Sequence, residues 1–477
     1  MHKILSNMNI INNLENNSKE FPNKIAIIFE DQKISYKELY DKVKKISLKI
    51  NNFDEEIISL VSENSISFII MYLGIIKSGR TVHIIPPEIS ETNFNNQIKS
   101  ADSQTIICSE NAFDKILKFT KINIPILKIT ELEEQLESEE NNFKENQIAH
   151  LIFTSGTTST PKGAGITHNM LNFTTKNIID VLGYLISDID ILPLPLYHSF
   201  GLGCIYTSLT VGSTIILHKD ASNIENLLNS IKKYNATTFS AIPATLIKIL
   251  KFENFDLTNC FSNIRLIITN STAIPKTTVQ KYKEILKKGN LATYYGLTEA
   301  SRSTFMIFEK SSSRDESVGK SAPGVSIKIE NEEIWIKGKN VISKYWNNTI
   351  ADESIKNGWL KTGDVGFLDD ENYLFLKGRK DDIINIGGEK VLPIEIEEVV
   401  KQIPDVIDAV AFGIKNEIFG QVIKLNIVKS NESNLDKGKI LIYCMKNLEK
   451  FKIPNKIDFV EKIPKTSYGK VKRFMLK

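Results

Sequence analysis

Cysteine is scarce in this chain, with four in 477 residues: Cys108, Cys204, Cys260 and Cys444. The four lie far apart and form no C-x-x-C pair, so their spacing favours neither a disulfide framework nor a metal site. Scattered thiols of this kind are typical of proteins from a reducing cytosol.

A charge excess and long apolar runs are also missing. The 60 basic and 57 acidic side chains leave a net charge of +3, which gives no reason to expect binding to nucleic acid or an anionic membrane. The apolar run at 67–76 is about half as long as the roughly 20 residues that a membrane span needs. Residues 1–17 are polar and lack the apolar centre of a signal peptide. We therefore expect a cytoplasmic protein without membrane insertion.

The pattern of apolar segments predicts an α/β protein of more than one domain. A chain of 477 residues exceeds one ordinary hydrophobic core. Helical spacing at 35–50 and 223–234 separates short apolar segments, and this alternation predicts open α/β layers. A Glu/Asn-rich segment at 131–146 is predicted as a solvated helix and loop. Strands are predicted at 24–29, 57–61, 105–108, 150–153, 190–194, 213–217, 266–269 and 373–376.

The most informative segment is L-I-F-T-S-G-T-T-S-T-P-K-G at 151–163, a run of small hydroxyl residues around one lysine. Small side chains let backbone N–H groups approach a phosphate, and the lysine adds positive charge. Composition alone also fits a polar surface loop. The spacing excludes a Walker-type loop, because Pro161 replaces its second glycine and Gly163 follows Lys162. The segment therefore predicts a phosphate-binding loop of another kind.

Four further motifs follow in order: Y-Y-G-L-T-E at 294–299, G-W-L-K-T-G-D at 358–364, G-R-K-D-D at 378–382 and P-K-T-S-Y-G-K at 464–470. Together with the loop they resemble the adenylate-forming superfamily of acyl-CoA synthetases, aryl-CoA ligases, stand-alone adenylation domains and luciferases. The resemblance runs from about residue 35 to the end of the chain. It implies a large, multi-layered α/β N-terminal domain (1–380) that holds ATP and the acid. It also implies a smaller, mobile α+β C-terminal domain (381–477) that carries a catalytic lysine.

The resemblance implies phosphate-binding roles for two motifs. Glu299 matches the Mg²⁺ ligand, since a carboxylate is a hard oxygen donor, and Thr298 matches a contact to the α-phosphate. A helix-capping role remains the alternative for Glu299. Ser159 stands where glycine is commoner in the family. The loop residues matched to the β- and γ-phosphates are Thr154, Ser155, Gly156, Thr157, Thr158 and Lys162.

Other matched positions concern the nucleoside. Tyr295, followed by Gly296, offers a flat face to adenine, although a core aromatic is the alternative. Asp364 matches the acid that accepts both ribose hydroxyls, and Arg379 would supplement it; a turn-forming Asp and an exposed Arg are the alternatives. The segment that lines the other face of adenine lacks the usual Gly-Gly here and reads Ser271, Thr272 and Ala273.

Two residues of the implied C-terminal domain are implied to control the reaction sequence. Lys470 matches the mobile lysine that bridges the attacking carboxylate and the α-phosphate. Asp381 matches the hinge about which the C-terminal domain rotates once acyl-AMP has formed. The rotation withdraws Lys470 and brings Gly388 forward for attack by a thiol.

The segment P-L-Y-H-S-F-G at 195–201 bears on the acid. Amino-acid-activating relatives have F-D-x-S here, with the Asp pairing the substrate ammonium, whereas this chain has Tyr197-His198. A buried ammonium without a carboxylate partner is costly, so a fatty or aryl acid is expected. His198 matches the pocket histidine of acyl- and aryl-activating members, with a structural histidine as the alternative. The apolar wall of the acid pocket is expected to consist of Phe239, Ala241, Ile242 and Pro243.

The segment I-G-G-E-K at 386–390 resembles the lining of a pantetheine tunnel, where Gly387 and Gly388 would let the thiol arm pass. A carrier protein presents the same arm as coenzyme A. We predict an AMP-forming acid–thiol ligase that uses ATP, Mg²⁺, a small carboxylic acid and coenzyme A. One alternative loads the acid onto an acyl or peptidyl carrier protein for polyketide or nonribosomal peptide synthesis. The other is a non-catalytic paralogue that binds nucleotide or acyl ligands.

Overall fold

The computed structural model describes residues 9–132, 146–154, 162–252, 255–347, 354–430, 433–465 and 471–476. The chain divides into two compact units. The first comprises Met1–Ser326 and Ile336–Leu360, and the second comprises Ile327–Trp335 and Lys361–Lys477. The predicted fold class, a large N-terminal α/β part with a smaller C-terminal part, is confirmed. A domain boundary at residue 380 stays a prediction.

The strands are β1 Ile25–Phe29, β2 Gln32–Ser35, β3 Ile57–Val61, β4 Thr81–Ile85, β5 Thr105–Cys108, β6 Ile126–Lys128, β7 Ile148–Thr154, β8 Lys162–Thr167, β9 Ile189–Leu192, β10 Thr214–Leu217, β11 Thr238–Ser240, β12 Leu266–Thr269, β13 Asn290–Leu297, β14 Ala300–Phe308, β15 Ser317–Ser321, β16 Val325–Glu330, β17 Glu333–Gly338, β18 Ile355–Lys356, β19 Trp359–Leu368, β20 Leu374–Arg379, β21 Ile384–Ile386, β22 Glu389–Val391, β23 Val406–Asn416, β24 Gly420–Lys429 and β25 Lys456–Phe459.

The α-helices are α1 Ile10–Glu20, α2 Tyr36–Asn51, α3 Ile66–Lys77, α4 Glu91–Ala101, α5 Glu110–Phe119, α6 Ile129–Leu132, α7 His168–Leu182, α8 Ser199–Val211, α9 Ile224–Lys233, α10 Pro243–Leu250, α11 Leu257–Cys260, α12 Lys276–Ile285, α13 Pro393–Val400 and α14 Lys437–Asn447. Short 3₁₀ turns occupy Lys380–Asp382, Lys450–Lys452 and Arg473–Met475.

Two sheets organise the first unit. One has the strand order β6-β5-β3-β4-β7-β8, parallel except for β8, which returns antiparallel to β7. The other runs β15-β14-β13-β12-β11-β9-β10-β1-β2 within this unit, with parallel strands from β13 to β1. Every residue of β3, β4 and β5 is buried, as expected for parallel strands that are covered on both faces.

Helix α2 shows why the local sequence folds as it does. Ser35 and Glu38 form a capping box at its N-terminus, which satisfies two backbone N–H groups that would otherwise lack partners. Its apolar positions recur at helical spacing and are buried, and α3 packs against them closely. A Cβ at Gly74 of α3 would lie 2.4 Å from Cγ2 of Ile46, so the glycine sets the approach of the two helices.

The apolar run at 67–76 lies within α3, which is 12 residues long. Within the described ranges, no helix is both long enough and apolar enough to span a bilayer.

The second unit holds its own sheet, in the order β22-β21-β24-β23, with β25 added parallel to β24. Helices α13 and α14 contribute Ile396, Val400, Ile440 and Cys444 to the same apolar core as the inward side chains of β23 and β24. This unit therefore buries a core of its own.

Candidate active site

The Y-Y-G-L-T-E motif forms the end of a β-hairpin in the first unit. Leu297 of β13 pairs with Ala300 of β14, so Thr298 and Glu299 are the two turn residues. A Cβ at Gly296 would lie 2.6 Å from the carbonyl oxygen of Ala300 and 2.7 Å from the backbone nitrogen of Arg302. Glycine at 296 thus allows the two strands to approach, which gives this predicted site residue a structural role.

The Glu299 carboxylate is held by Tyr345, a residue outside the five motifs. The hydroxyl of Tyr345 donates a hydrogen bond of 2.8 Å to Oε1 of Glu299. The backbone N–H of Ile342 donates to the carbonyl oxygen of Glu299 at 2.9 Å. Both the side chain and the backbone of Glu299 are therefore positioned from the 342–345 segment. A fixed carboxylate oxygen fits Mg²⁺, which prefers hard oxygen ligands next to substrate phosphates.

The same tyrosine also contacts the predicted phosphate-binding lysine. Nζ of Lys162 lies 5.0 Å from the centroid of the Tyr345 ring, and Ala164 forms a β-bridge with Tyr345. Lys162 begins β8 and pairs with Thr154 at the end of β7. The predicted loop residues Ser155, Gly156, Thr157 and Thr158 lie outside the described residues, so the structure gives the two ends of that loop.

The predicted adenine residues lie on neighbouring parts of the sheet. Tyr295 of β13 is buried, and its backbone N–H donates to Oγ1 of Thr304 at 3.3 Å. Ser271 follows β12 and has a φ of 90°, a conformation that glycine adopts without the steric cost that serine incurs. This explains physically why glycine is usual here. Thr272 and Ala273 continue the same segment, and all three roles stay predictions.

Asp364 and Arg379 come together in the second unit. They face each other across β19 and β20, and Nη1 of Arg379 donates to Oδ1 of Asp364 at 2.8 Å. The same nitrogen donates to the carbonyl oxygen of Thr362 at 2.9 Å. The carboxylate is thus oriented by a charge-assisted hydrogen bond. Its assignment to the ribose hydroxyls stays a prediction.

Lys470 lies outside the described residues, but the segment around it is anchored within the second unit. Lys465 and Val471 form a β-bridge. Arg473 donates to the carbonyl oxygen of Ala411 at 2.6 Å and to Oε1 of Glu397 at 2.7 Å. These contacts fix both ends of the predicted catalytic loop.

The predicted hinge and tunnel residues are also in the second unit. Asp381 is exposed in the 3₁₀ turn Lys380–Asp382. Gly387 and Gly388 form the turn between β21 and β22, with φ of 57° and 101°. Two consecutive positive φ values favour glycine in a tight hairpin, so the turn alone accounts for both glycines. The hinge and tunnel roles stay predictions.

His198 precedes α8 in the first unit. Burial lowers the pKa of His198 to about 4, so its imidazole is neutral near pH 7. Its ring packs edge-on against Tyr197 with 4.7 Å between centroids. Phe239 is fully buried and stacks on Phe261, and Pro243 is the first residue of α10.

A narrow cavity opens beside Thr298 in the first unit. The predicted acid-pocket residues His198, Phe239 and Pro243 are not among the residues that line it. Its apolar wall comes from Ile166, Met170, Leu171, Ile178 and Leu202. Its polar lining consists of His150, Thr174, Thr175, Ser199, Tyr206, Thr298, Ser301, Arg302 and Asn340. Arg302 was not predicted from the sequence as a site residue.

Known proteins are similar to this chain in sequence, and solved structures are similar to it in fold. A family model described as AMP-binding enzyme matches residues 14–346, and one described as AMP-binding enzyme C-terminal domain matches 395–470. Oxalate–CoA ligase of Arabidopsis thaliana is 28% identical in an alignment that covers 96% of each chain.

Solved structures are similar over almost the whole chain. O-succinylbenzoate CoA synthetase from Bacillus subtilis, in complex with the acyl-adenylate intermediate OSB-AMP, superposes with a TM-score of 0.88 at 27% identity and 98% coverage of both chains. The same enzyme in complex with ATP and magnesium ion gives a TM-score of 0.87 at 27% identity, with 98% of this chain and 99% of that chain covered. As the five motifs predicted, the chain belongs to the family of AMP-binding enzymes.

Proposed function

We propose that this protein is an AMP-forming acid–thiol ligase. It forms acyl-AMP and pyrophosphate from a carboxylic acid without an α-amino group and MgATP, and it then transfers the acyl group to coenzyme A. One observation carries the proposal: Tyr345 contacts both Lys162 and Glu299, while the turn that carries Glu299 also places Thr298 at the cavity. The likeness to ligases solved with ATP, magnesium ion and an acyl-adenylate supports it.

The described residues suit the first half-reaction, in which two anions must be brought together. The ammonium of Lys162 offsets negative charge on the phosphates, and the hydroxyl of Thr298 donates to the α-phosphate. The Glu299 carboxylate would hold Mg²⁺, which supplies further charge neutralisation at the phosphates when bound. These groups are held on strands and a tight turn, so little reorganisation is needed during the reaction.

The acid is predicted to lack an α-amino group. His198 is neutral near pH 7, and the residues lining the described cavity include no carboxylate that could pair an ammonium. An ammonium without such a partner would lose its hydration uncompensated. We expect each non-amino acid to be activated at least about 100-fold more efficiently than its amino counterpart, a typical discrimination where a buried charge is left unpaired.

Pyrophosphate release measures this directly with matched pairs: succinate and aspartate, glutarate and glutamate, hexanoate and norleucine, and phenylacetate and phenylglycine. Comparable turnover of the two members of any active pair would contradict the prediction. If none of these acids gives pyrophosphate release, the non-catalytic paralogue is favoured.

Coenzyme A is the proposed thiol acceptor. The segment at 386–390 resembles that of CoA-using aryl and acyl ligases, and Lys377, Lys380 and Lys390 could meet the phosphates of coenzyme A. With ATP and an active acid, we expect acyl-CoA to form at a rate comparable to pyrophosphate release. An acidic carrier surface is the alternative partner for the same lysines. Accumulation of acyl-AMP that only a phosphopantetheinylated carrier protein discharges would establish the carrier-loading alternative.

A further inference from the structure

Arg302 is a buried cation in the first unit. Only 5% of the residue is exposed. Its Nη1 donates to Oγ of Ser301 at 2.5 Å and its Nη2 donates to the carbonyl oxygen of Ser199 at 2.7 Å. Its Nε is buried and has no hydrogen-bond partner among the residues that the structure describes. In the part of the chain that the structure describes, no Asp or Glu forms an ion pair with Arg302, so its charge is solvated by neutral groups alone.

A β-bulge in the backbone around Arg302 sets the direction of its side chain. Tyr295 pairs with Thr304 and Leu297 pairs with Ala300, so residues 301–303 of β14 all lie opposite Gly296. Bulges of this kind redirect side chains and are common beside active sites. Arg302 itself has a φ of 55°, a left-handed conformation that costs free energy in a non-glycine residue.

Helix α8 leaves room for the guanidinium. A Cβ at Gly203 would lie 1.7 Å from Nη2 and 2.5 Å from Cζ of Arg302. Any larger residue at 203 would therefore displace the charged group. The ring of Tyr294 supports the guanidinium from another side, with Cζ at 5.1 Å from the ring centroid. The bulge, the strained φ and the glycine are three separate features that hold one cation in place.

The guanidinium lies among residues that line the cavity at Thr298, since it contacts Ser301 and Ser199. Arg302 and Gly203 both line that cavity, together with Ser301 and Thr298. The buried carboxyl of Asp190 on β9 does not line this cavity. Its Oδ1 accepts a hydrogen bond from Thr238, and burial raises the pKa of Asp190 to about 7. The cavity lining therefore includes both Thr298, the residue assigned to the α-phosphate, and the positively charged Arg302.

We propose that the acid substrate carries a second carboxylate and that Arg302 binds it. This inference rests on the proposed function, because Thr298 fixes the reacting carboxylate only if the protein forms acyl-AMP. A guanidinium presents a planar set of donors that match a carboxylate. A substrate with an apolar end would instead leave the charge of Arg302 without an anionic partner, so the residue selects against fatty acids as well as for diacids.

Matched acids test the inference in the unmodified protein. The pairs are succinate and butyrate, glutarate and pentanoate, adipate and hexanoate, and phthalate and 2-methylbenzoate, in which a methyl group replaces the second carboxylate. We expect kcat/KM for pyrophosphate release to favour the diacid of the best pair by at least about 100-fold, as for other sites built to pair a polar substrate group. Equal or better turnover of the monoacids would overturn the inference and leave the proposed function intact. No release with any acid would overturn both.

Two substitutions separate substrate recognition from a structural role. Arg302→Met should lower kcat/KM for the diacid by about 100- to 1000-fold, as expected when one partner of a buried charge pair is removed, and should preserve or improve turnover of the monoacid. Gly203→Ala should move the guanidinium and lower the diacid preference without removing the charge, which provides a second test if Arg302→Met does not fold.

Arg265→Met is the matched control. Arg265 is a partly buried arginine of the same unit that already pairs with Asp188. Its substitution should leave the ratio of diacid to monoacid kcat/KM unchanged. Equal losses for diacid and monoacid in both the Arg302 and Gly203 variants would show a structural role and overturn the inference.

Discussion

Replacing Lys470 by alanine is expected to lower the rate of acyl-AMP formation by about 10²–10³-fold, the typical effect of removing one donor that stabilises developing charge. The ammonium is assigned to the first half-reaction, where it offsets the charges of the attacking carboxylate and the α-phosphate. Thiolysis of pre-formed acyl-AMP should stay near the unmodified rate, because the proposed sequence withdraws Lys470 before the thiol attacks.

The two half-reactions are measured separately, adenylation as pyrophosphate release and thiolysis as acyl-CoA formed from synthetic acyl-AMP. Lys462→Ala is the control, because Lys462 is an exposed lysine of the same C-terminal segment with no assigned role. Equal loss in both half-reactions would contradict the withdrawal of Lys470 and also the hinge assigned to Asp381.

Strand positions were predictable wherever a short apolar run lies between turns. The predicted bounds of 57–61, 105–108 and 266–269 match β3, β5 and β12. Each of these strands is buried at every position, so a continuous apolar run is the expected signal for a central parallel strand. Helix α2 was predictable for a different reason, since its apolar residues recur at helical spacing after a capping serine.

The hairpin of β13 and β14 was missed because its sequence mixes signals. Its buried positions include Thr293, Ser303 and Thr304 alongside aromatic residues, so the short apolar run at 305–308 marks only the end of β14 and leaves the rest of the hairpin without a signal. The polar groups are satisfied across strands, as where Oγ1 of Thr293 donates to the carbonyl oxygen of Thr269 at 3.0 Å. Such pairing depends on the sheet and cannot be read from local sequence.

Motif residues were predictable because they are contiguous, whereas their partners were not. Asp364 and Arg379 each belong to a motif, and the structure pairs them. Tyr345 lies outside the motifs and reaches Glu299 across 46 positions of the chain. Arg302 follows its motif directly, but only the bulge of β14 and the glycine of α8 turn it toward the cavity. A single arginine among the small residues of 300–304 was the available signal.

Substituting glutamine for Glu299 is expected to lower adenylation by about 10²–10³-fold, because an amide keeps the shape of the side chain but removes the charge that a Mg²⁺ ligand supplies. Tyr345 should still donate to the amide oxygen, so the turn should keep its position. The Mg²⁺ concentration needed for half-maximal pyrophosphate release should rise together with the fall in rate.

Tyr345→Phe separates ligand charge from ligand orientation. It removes the hydrogen bond to Oε1 of Glu299 but leaves the carboxylate, so a loss of about tenfold is expected, in keeping with one hydrogen bond to a charged group. Pyrophosphate release is measured across a Mg²⁺ titration for both variants at saturating ATP. If Glu299→Gln costs no more than Tyr345→Phe and leaves the Mg²⁺ dependence unchanged, Glu299 stabilises the turn rather than the metal. In that case the metal must be held by phosphate oxygens and water, and the capping role considered for Glu299 from the sequence is the better assignment.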